Sequence, residues 1–270
     1  MTTPWGEMGP IRISADLSVL WLALMRREQV KLGPDDFRGT VIAHGHYGRP
    51  VLVFASERGR AWDFENNGMV DAVAELVDAG RVKFYCVDSA DGYSWSNESV
   101  PTEQRARRHG QYESWIHDHV VPWIADDCGG STDIATLGCS LGAYHAANFA
   151  LKRADLFPLA LCFSGNYDPT AWHAWGEQGD ATYFNNPIDY VGNLNGDYLN
   201  WLRDRVRLLL VVGQGDWEVE PTGSLPSTRQ FAERLASKGI PHELDVWGYD
   251  IPHEWSSWRT QLAHHLPRFC

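Results

Sequence analysis

One serine in the sequence has neighbours that suit it for nucleophilic chemistry. Ser140 lies in Gly-Cys-Ser-Leu-Gly, residues 138–142, between a short apolar run at 133–137 and an Ala- and Leu-rich stretch at 141–153. The apolar run predicts a strand and the second stretch predicts a helix. Because glycines have no Cβ atom, strand and helix can approach closely while the hydroxyl stays on the sharp turn between them. We therefore predict that Ser140 is a catalytic nucleophile.

Strand-like and helix-like stretches alternate along the chain, which is typical of an α/β protein with a mostly parallel central sheet and helices on both faces. The predicted strands are 40–44, 50–55, 82–87, 133–137, 159–164, 207–212 and 243–247, and the predicted helices are 69–78, 113–124, 141–153, 227–238 and 254–265. The first two strands, joined by His-Gly-His-Tyr-Gly, are interpreted as an early pair. Residues 17–25 fit an edge strand or a short helix equally well.

This pattern predicts two parts of the chain. Residues 1–39 are predicted to be an N-terminal extension or edge strands. Residues 40–270 are predicted to form one α/β domain, with a cap-like insertion at about 166–205. A chain of 270 residues with 44% hydrophobic residues and 13 tryptophans can fill the core of such a domain.

A serine on such a turn is typical of the nucleophile elbow of the α/β-hydrolase fold, in which the acid follows a later strand and the histidine lies near the C-terminus. His253 lies between the last predicted strand and the last predicted helix, so its position fits the base. His264 and His265 lie inside that helix instead. His44 and His46 flank a turn without a third ligand of suitable spacing, so no metal site is predicted.

The acid has two candidates. The predicted strand 207–212 continues into Gly-Gln-Gly-Asp-Trp-Glu, which offers Asp216 and Glu218. Simple spacing after the strand slightly favours Asp216. In either case the carboxylate would accept the Nδ1 proton of His253, fix the histidine tautomer and stabilise the imidazolium.

Five segments together resemble the putative-esterase family, which includes S-formylglutathione hydrolases (esterase D), feruloyl and enterochelin esterases, and mycolyl transferases. The segments are Gly-Cys-Ser-Leu-Gly-Ala-Tyr-His-Ala at 138–146, Phe-Ser-Gly-Asn-Tyr-Asp at 163–168, Tyr-Phe-Asn-Asn-Pro at 183–187, Gly-Gln-Gly-Asp-Trp-Glu at 213–218 and Pro-His-Glu-Trp at 252–255. The resemblance runs from about His44 to the C-terminus. It implies Glu218 as the acid, because this branch commonly has a glutamate there.

The resemblance also implies an activity: a serine esterase or thioesterase that works through an acyl-serine intermediate. Two backbone N–H groups would form the oxyanion hole, that of Leu141 and, in the loop after the strand 51–55, that of Arg58. The loop Ser-Glu-Arg-Gly-Arg at 56–60 departs from the small, Gly-rich loop expected there. A second hypothesis is an acyltransferase that uses the same triad. A third is a non-catalytic binding protein, but the presence of serine, acid and histidine in the expected order argues against it.

Substrate specificity is predicted to come from the segment between the strands ending at 164 and starting at 207, because loops at the C-terminal ends of strands build such pockets. The alternative is that its aromatic residues only pack a cap onto the sheet. The residues predicted to bind substrate are Trp172, Trp175, Tyr183, Phe184 and Asn186.

Composition excludes other classes of function. A net charge of −12 argues against nucleic acid or an anionic membrane as partner. The dense basic cluster of Arg105, Arg107 and Arg108 is predicted to be a solvated helix face.

The N-terminus lacks the pattern of a signal peptide, and five scattered cysteines without C-x-x-C predict reduced thiols in a cytoplasmic protein. The expected partner is a small ester or thioester, no cofactor is predicted, and the sequence is compatible with a homo-oligomer.

Overall fold

A computed structural model describes residues 26–270 except residues 36, 131 and 132, so the segment 17–25 lies outside the described residues. In the described part of the chain, eight strands form a single sheet. They are β1 (Arg27–Leu32), β2 (Gly39–His44), β3 (Arg49–Phe54), β4 (Val82–Val87), β5 (Ala135–Cys139), β6 (Leu159–Phe163), β7 (Arg207–Val212) and β8 (His242–Val246).

The strand order is β1-β2-β4-β3-β5-β6-β7-β8. Strand β2 is antiparallel to β1 and β4, and all pairs from β4 to β8 are parallel. The prediction that β2 and β3 form a pair is wrong, since β4 lies between them. The physical reason is that both edges of β3 form parallel pairs, one with β4 and one with β5, so β3 has no free edge for β2.

Helices cover both faces of the sheet. They are α1 (Asp63–Asn66), α2 (Ala74–Asp78), α3 (Thr102–Trp115), α4 (Val121–Asp127), α5 (Leu141–Lys152), α6 (Asp180–Tyr183), α7 (Pro187–Asn193), α8 (Gly196–Arg205), α9 (Ser224–Ser237) and α10 (Trp255–His265). Successive side chains of β3 enter different cores: Leu52 packs with the α3 and α5 side, and Val53 packs with the α10 side. The predicted α/β-hydrolase architecture with a mostly parallel sheet is thus confirmed.

The helix predicted at 113–124 begins earlier than expected, at Thr102. The sequence does not show an apolar helical pattern in its first turns, because the buried positions there include Arg105 and His109 as well as apolar residues. A π-helical segment, Ile116–Val120, joins α3 to α4. Pro122, two residues after this segment, has no N–H to donate to the preceding turn.

The predicted N-terminal extension and the predicted cap-like insertion both contain regular secondary structure. The segment predicted as an extension or edge strands provides β1, which pairs along its whole length with β2. The segment predicted as a cap-like insertion contains α6, α7 and α8. No helix among the described residues is both long enough and apolar enough to span a membrane.

Candidate active site

Ser140 lies on the turn between β5 and α5 with a left-handed backbone, φ +58° and ψ −124°. Such a conformation is strained for a residue with a side chain, and here it is held by a hydrogen bond from Ser140 N to the Phe163 carbonyl at 2.9 Å. A Cβ atom on Gly138 would lie 2.1 Å from the Gly142 backbone, and one on Gly142 would lie 2.5 Å from the Phe54 carbonyl oxygen. Both glycines are therefore required by close packing at this turn.

His253 lies in the loop between β8 and α10, and its Nε2 atom is 3.0 Å from Ser140 Oγ. The backbone N–H of His253 donates to the Asp216 carbonyl at 2.9 Å, which fixes this loop against the loop that follows β7. The imidazole also meets the Trp258 ring edge-on, with centroids 5.0 Å apart. Its position therefore allows proton exchange with the serine hydroxyl.

Glu218 is fully buried, and its Oε2 atom lies 3.2 Å from Nδ1 of His253. The side chain of Asp216 is exposed, and only its backbone carbonyl contacts the histidine. Between them Trp217 takes a left-handed backbone, φ +67°, and this turn leaves Asp216 at the surface while Glu218 enters the interior. The carboxylate that contacts His253 is therefore that of Glu218, and strand spacing slightly favours Asp216 because spacing contains no information about that turn.

The second carboxylate oxygen of Glu218 has partners that the sequence analysis did not identify. Ser164 Oγ donates to Glu218 Oε1 at 2.5 Å, and the N–H of Gly213 donates to the same oxygen at 3.3 Å. Trp258 Nε1 in turn donates to Ser164 Oγ at 3.1 Å. Ser164 is buried with φ +52° directly after β6, so the only signal in the sequence was its place in Phe-Ser-Gly.

A cavity of about 440 Å³ opens beside Ser140 at the C-terminal edge of the sheet. Leu141, the predicted oxyanion donor, and Trp172, a predicted substrate-binding residue, both line it. On the other predicted donor loop, the residue in the cavity wall is Glu57, while Arg58, with φ +53°, directs its guanidinium to the Ser96 carbonyl. The full lining is Glu57, Trp95, Ser96, Glu98, Ser140, Leu141, Asn166, Ala171, Trp172, His173, Glu220, Pro221, Thr222, Gly223 and Ser224.

Four predicted pocket residues lie elsewhere. Trp175 is half-exposed and donates its indole N–H to the Glu98 carbonyl. Tyr183 and Phe184 line a separate depression beside Lys152, at the end of α5 remote from Ser140. Asn186 is buried and caps α7 by accepting a hydrogen bond from Ile188 N, so its side chain is used structurally.

The predicted solvated face of the arginine cluster is wrong for Arg105, which is 1% exposed. Its guanidinium donates to four backbone carbonyls, with distances between 2.9 and 3.5 Å, and no carboxylate of the described residues forms a salt bridge with it. The accepting residues are Trp95, Val100, Trp172 and His173. Three of these four line the cavity, so Arg105 ties together two loops of the cavity wall.

A buried polar group lies behind this wall. Asp91 Oδ1 is 2.9 Å from His145 Nε2, and both side chains are 1% exposed. The ring of His109 stacks on that of His145 with centroids 5.1 Å apart. Burial lowers the pKa of His109 well below its usual value, so this imidazole is neutral at pH 7.

Comparison with known proteins places the chain in a family. Residues 46–269 match the family described as "Putative esterase", so the chain belongs to that family and is an esterase-type hydrolase. Among curated proteins, no match was found. Three solved structures share the fold over 90% of this chain: a ferulic acid esterase (17% identity, TM-score 0.69, 96% of that chain), an S-formylglutathione hydrolase from Agrobacterium tumefaciens (16%, 0.67, 93%) and one from Staphylococcus aureus (12%, 0.64, 96%).

Proposed function

We propose that the protein is a serine hydrolase that cleaves a small ester or thioester through an acyl-serine intermediate. The observation that carries the proposal is the contact series Glu218 Oε2 to His253 Nδ1 at 3.2 Å and His253 Nε2 to Ser140 Oγ at 3.0 Å. These are hydrogen-bond distances from nucleophile to base and from base to the acid that orients it.

The reaction follows from that order of contacts. His253 takes the Ser140 proton as Oγ attacks the carbonyl carbon, and Glu218 stabilises the imidazolium that results. The histidine then gives the proton to the leaving alcohol or thiol as its bond to the acyl carbon breaks. A water molecule, deprotonated by the same histidine, attacks the acyl-serine, and the carboxylic acid and free serine are released.

The tetrahedral oxyanion needs donors on the side of the serine that faces the cavity. We assign one donor to the N–H of Leu141, the first residue of α5, where the helix dipole also favours negative charge. The second donor is assigned to the Glu57–Arg58 turn. The left-handed backbone of Arg58 and the place of Glu57 in the cavity wall support this assignment.

Polar residues around the cavity favour hydrolysis over acyl transfer. Ser96, Asn166, Thr222 and three glutamates line it, so water is readily accommodated beside the acyl-serine. An acyltransferase on the same triad requires a site that excludes water from this intermediate. A non-catalytic role is disfavoured because strain at Ser140 and a buried carboxylate at His253 would serve no purpose in a simple binding protein.

The test is hydrolysis of a panel of p-nitrophenyl esters and acyl thioesters by the wild type and by Ser140→Ala. We expect a loss of about 10³-fold or more in kcat on removal of the nucleophile, with an unchanged circular dichroism spectrum. Ser237→Ala, which changes an exposed serine at the end of α9, is the matched control. Equal activity of Ser140→Ala and wild type would refute the proposal.

A further inference from the structure

The charged residues that line the reaction cavity are all acidic. Three glutamates from three different loops contribute: Glu57 follows β3, Glu98 follows β4, and Glu220 follows β7. Their side chains are solvent-exposed, so they are free to contact a ligand that enters. No lysine or arginine is found among the described residues of this lining.

Two arginines near the cavity offset part of this negative charge, but three carboxylates outnumber them. Arg58 is at the rim, where its guanidinium donates to the Ser96 carbonyl and its Nε is 3.9 Å from Glu57 Oε1. Arg105 is buried behind the wall, where it donates to four backbone carbonyls and interacts electrostatically with Glu98. Within the described part of the chain, neither Glu98 nor Glu220 has a basic group within 4.0 Å. A ligand in the cavity therefore meets carboxylates directly and guanidinium groups only at the edge.

Aromatic groups form another part of the same wall. Trp95 and Trp172 both line the cavity, with ring planes at 84° and centroids 5.7 Å apart. Trp172 is only partly buried, so part of its indole faces the open space. The π-face of tryptophan attracts cations and is used to recognise quaternary ammonium groups, and nearby carboxylates add Coulomb attraction. The remaining polar side chains of the wall are neutral amides and hydroxyls, together with His173.

We propose that the cavity at Ser140 selects esters or thioesters with a positively charged alkylammonium group in the acyl or the leaving part, and disfavours anionic ones. This inference rests on the proposed function, because the cationic group is held while Ser140 attacks the neighbouring carbonyl. The charged group itself is unchanged by the reaction. Carboxylates near the entrance also raise the local concentration of a cationic substrate, which acts mainly on kcat/KM.

The experiment compares three thioacetates that differ only in the group remote from the carbonyl. These are acetylthiocholine, its neutral isostere S-(3,3-dimethylbutyl) thioacetate, and the anionic S-acetyl-3-mercaptopropionate. At low ionic strength we expect kcat/KM to be on the order of tenfold higher for the cation than for the isostere, and lowest for the anion. The preference should shrink in 0.5 M NaCl, because salt screens exposed charges.

The double variant Glu98→Gln/Glu220→Gln tests whether the two carboxylates cause the preference. We expect its cation-to-neutral ratio to fall by about threefold or more, while Glu57 and Trp172 retain part of the preference. Glu233→Gln, on the exposed face of α9, is the control and should keep the wild-type ratio. Equal melting temperatures of the three proteins would show that the substitutions leave the fold intact.

Two failures are distinguishable. If thioacetates are hydrolysed in a Ser140-dependent way but the cation has no advantage, or the double variant keeps the advantage, the inference is overturned and the proposed function stands. If neither the thioacetates nor p-nitrophenyl esters are hydrolysed, the proposed function is overturned and the inference falls with it.

Discussion

Ser164 donates a hydrogen bond of 2.5 Å to Oε1 of Glu218, the carboxylate oxygen that His253 does not contact. The two oxygens of this buried carboxylate thus have separate partners. Oε1 is held by a hydroxyl and by the N–H of Gly213, and Oε2 faces the imidazole. A buried carboxylate needs such donors, because burial without them is costly. Ser164 therefore orients the carboxylate that contacts His253.

The two carboxylates after β7 should differ sharply in their effect on turnover. Glu218→Gln removes the negative charge beside Nδ1 of His253 and favours the wrong tautomer, so we expect kcat to fall on the order of 10²-fold to 10⁴-fold. Asp216→Asn changes an exposed side chain and should stay within a few-fold of wild type. Steady-state kinetics on one p-nitrophenyl ester checks both. A larger loss in the Asp216 variant would move the acid to that residue.

Ser164→Ala should reduce activity without changing any group that contacts substrate. The substitution leaves Glu218 Oε1 with the Gly213 N–H alone and also removes the acceptor of the Trp258 indole. We expect about a tenfold loss in kcat with little change in KM, and a loss of about 1–3 kcal/mol in the free energy of unfolding. Trp258→Phe keeps the Ser164–Glu218 bond and should retain more activity. If Ser164→Ala equals wild type in kcat, Ser164 does not position the acid.

Arg105→Met should affect the cavity wall, because the four carbonyls that the guanidinium binds would lose a charged donor. We expect the free energy of unfolding to fall by about 2–3 kcal/mol and KM to rise more than kcat falls. Arg107→Met on the same helix removes an exposed arginine paired with Glu103 and is the control, with a loss of at most about 1 kcal/mol. Equal stability of both variants would contradict the role assigned to Arg105.

Buried neutral histidines should make stability depend on pH. Burial lowers the pKa of the partly buried His117 to about 4, and it lowers the pKa of the fully buried His109 well below its ordinary value near 6.5. Below about pH 6.5 the unfolded chain therefore binds protons that the folded chain does not, so stability falls as the pH falls. His109→Leu removes one such site. Between pH 6.5 and 5 the free energy of unfolding of this variant should therefore fall less steeply than that of the wild type, by at most about 1.4 kcal/mol per pH unit.

Urea unfolding at several pH values measures this slope, with the exposed His264→Gln as control. A slope in His109→Leu as steep as in wild type would mean that His109 is protonated in the folded protein.

The residues that define the elbow were predictable because their signals are local. Gly138, Ser140 and Gly142 fix a strand-turn-helix within a few residues, and His253 follows from the order of elements. The choice between Asp216 and Glu218 depended on a left-handed turn at Trp217, which residue type does not encode.

Contacts between distant segments were not predicted, because local sequence patterns contain no information about them. Ser164 meets Glu218 across 54 residues, and Arg105 reaches Trp172 across 67. Arginine is ordinarily a surface residue, so nothing in the local pattern around Arg105 predicts its burial. Likewise, composition identified the aromatic residues of the cap-like insertion but not their positions. Trp172 lines the cavity and Tyr183 and Phe184 lie outside it because of the way α6 to α8 pack.

The most direct test of the central claim is to trap the acyl-enzyme. Wild-type protein mixed with excess p-nitrophenyl ester is quenched in acid within its first turnovers, digested, and analysed by peptide mass spectrometry. We predict one acyl group per chain at Ser140, and none in Ser140→Ala treated in the same way. An acyl group on another residue, or rapid ester hydrolysis that continues unchanged in Ser140→Ala, would contradict the account.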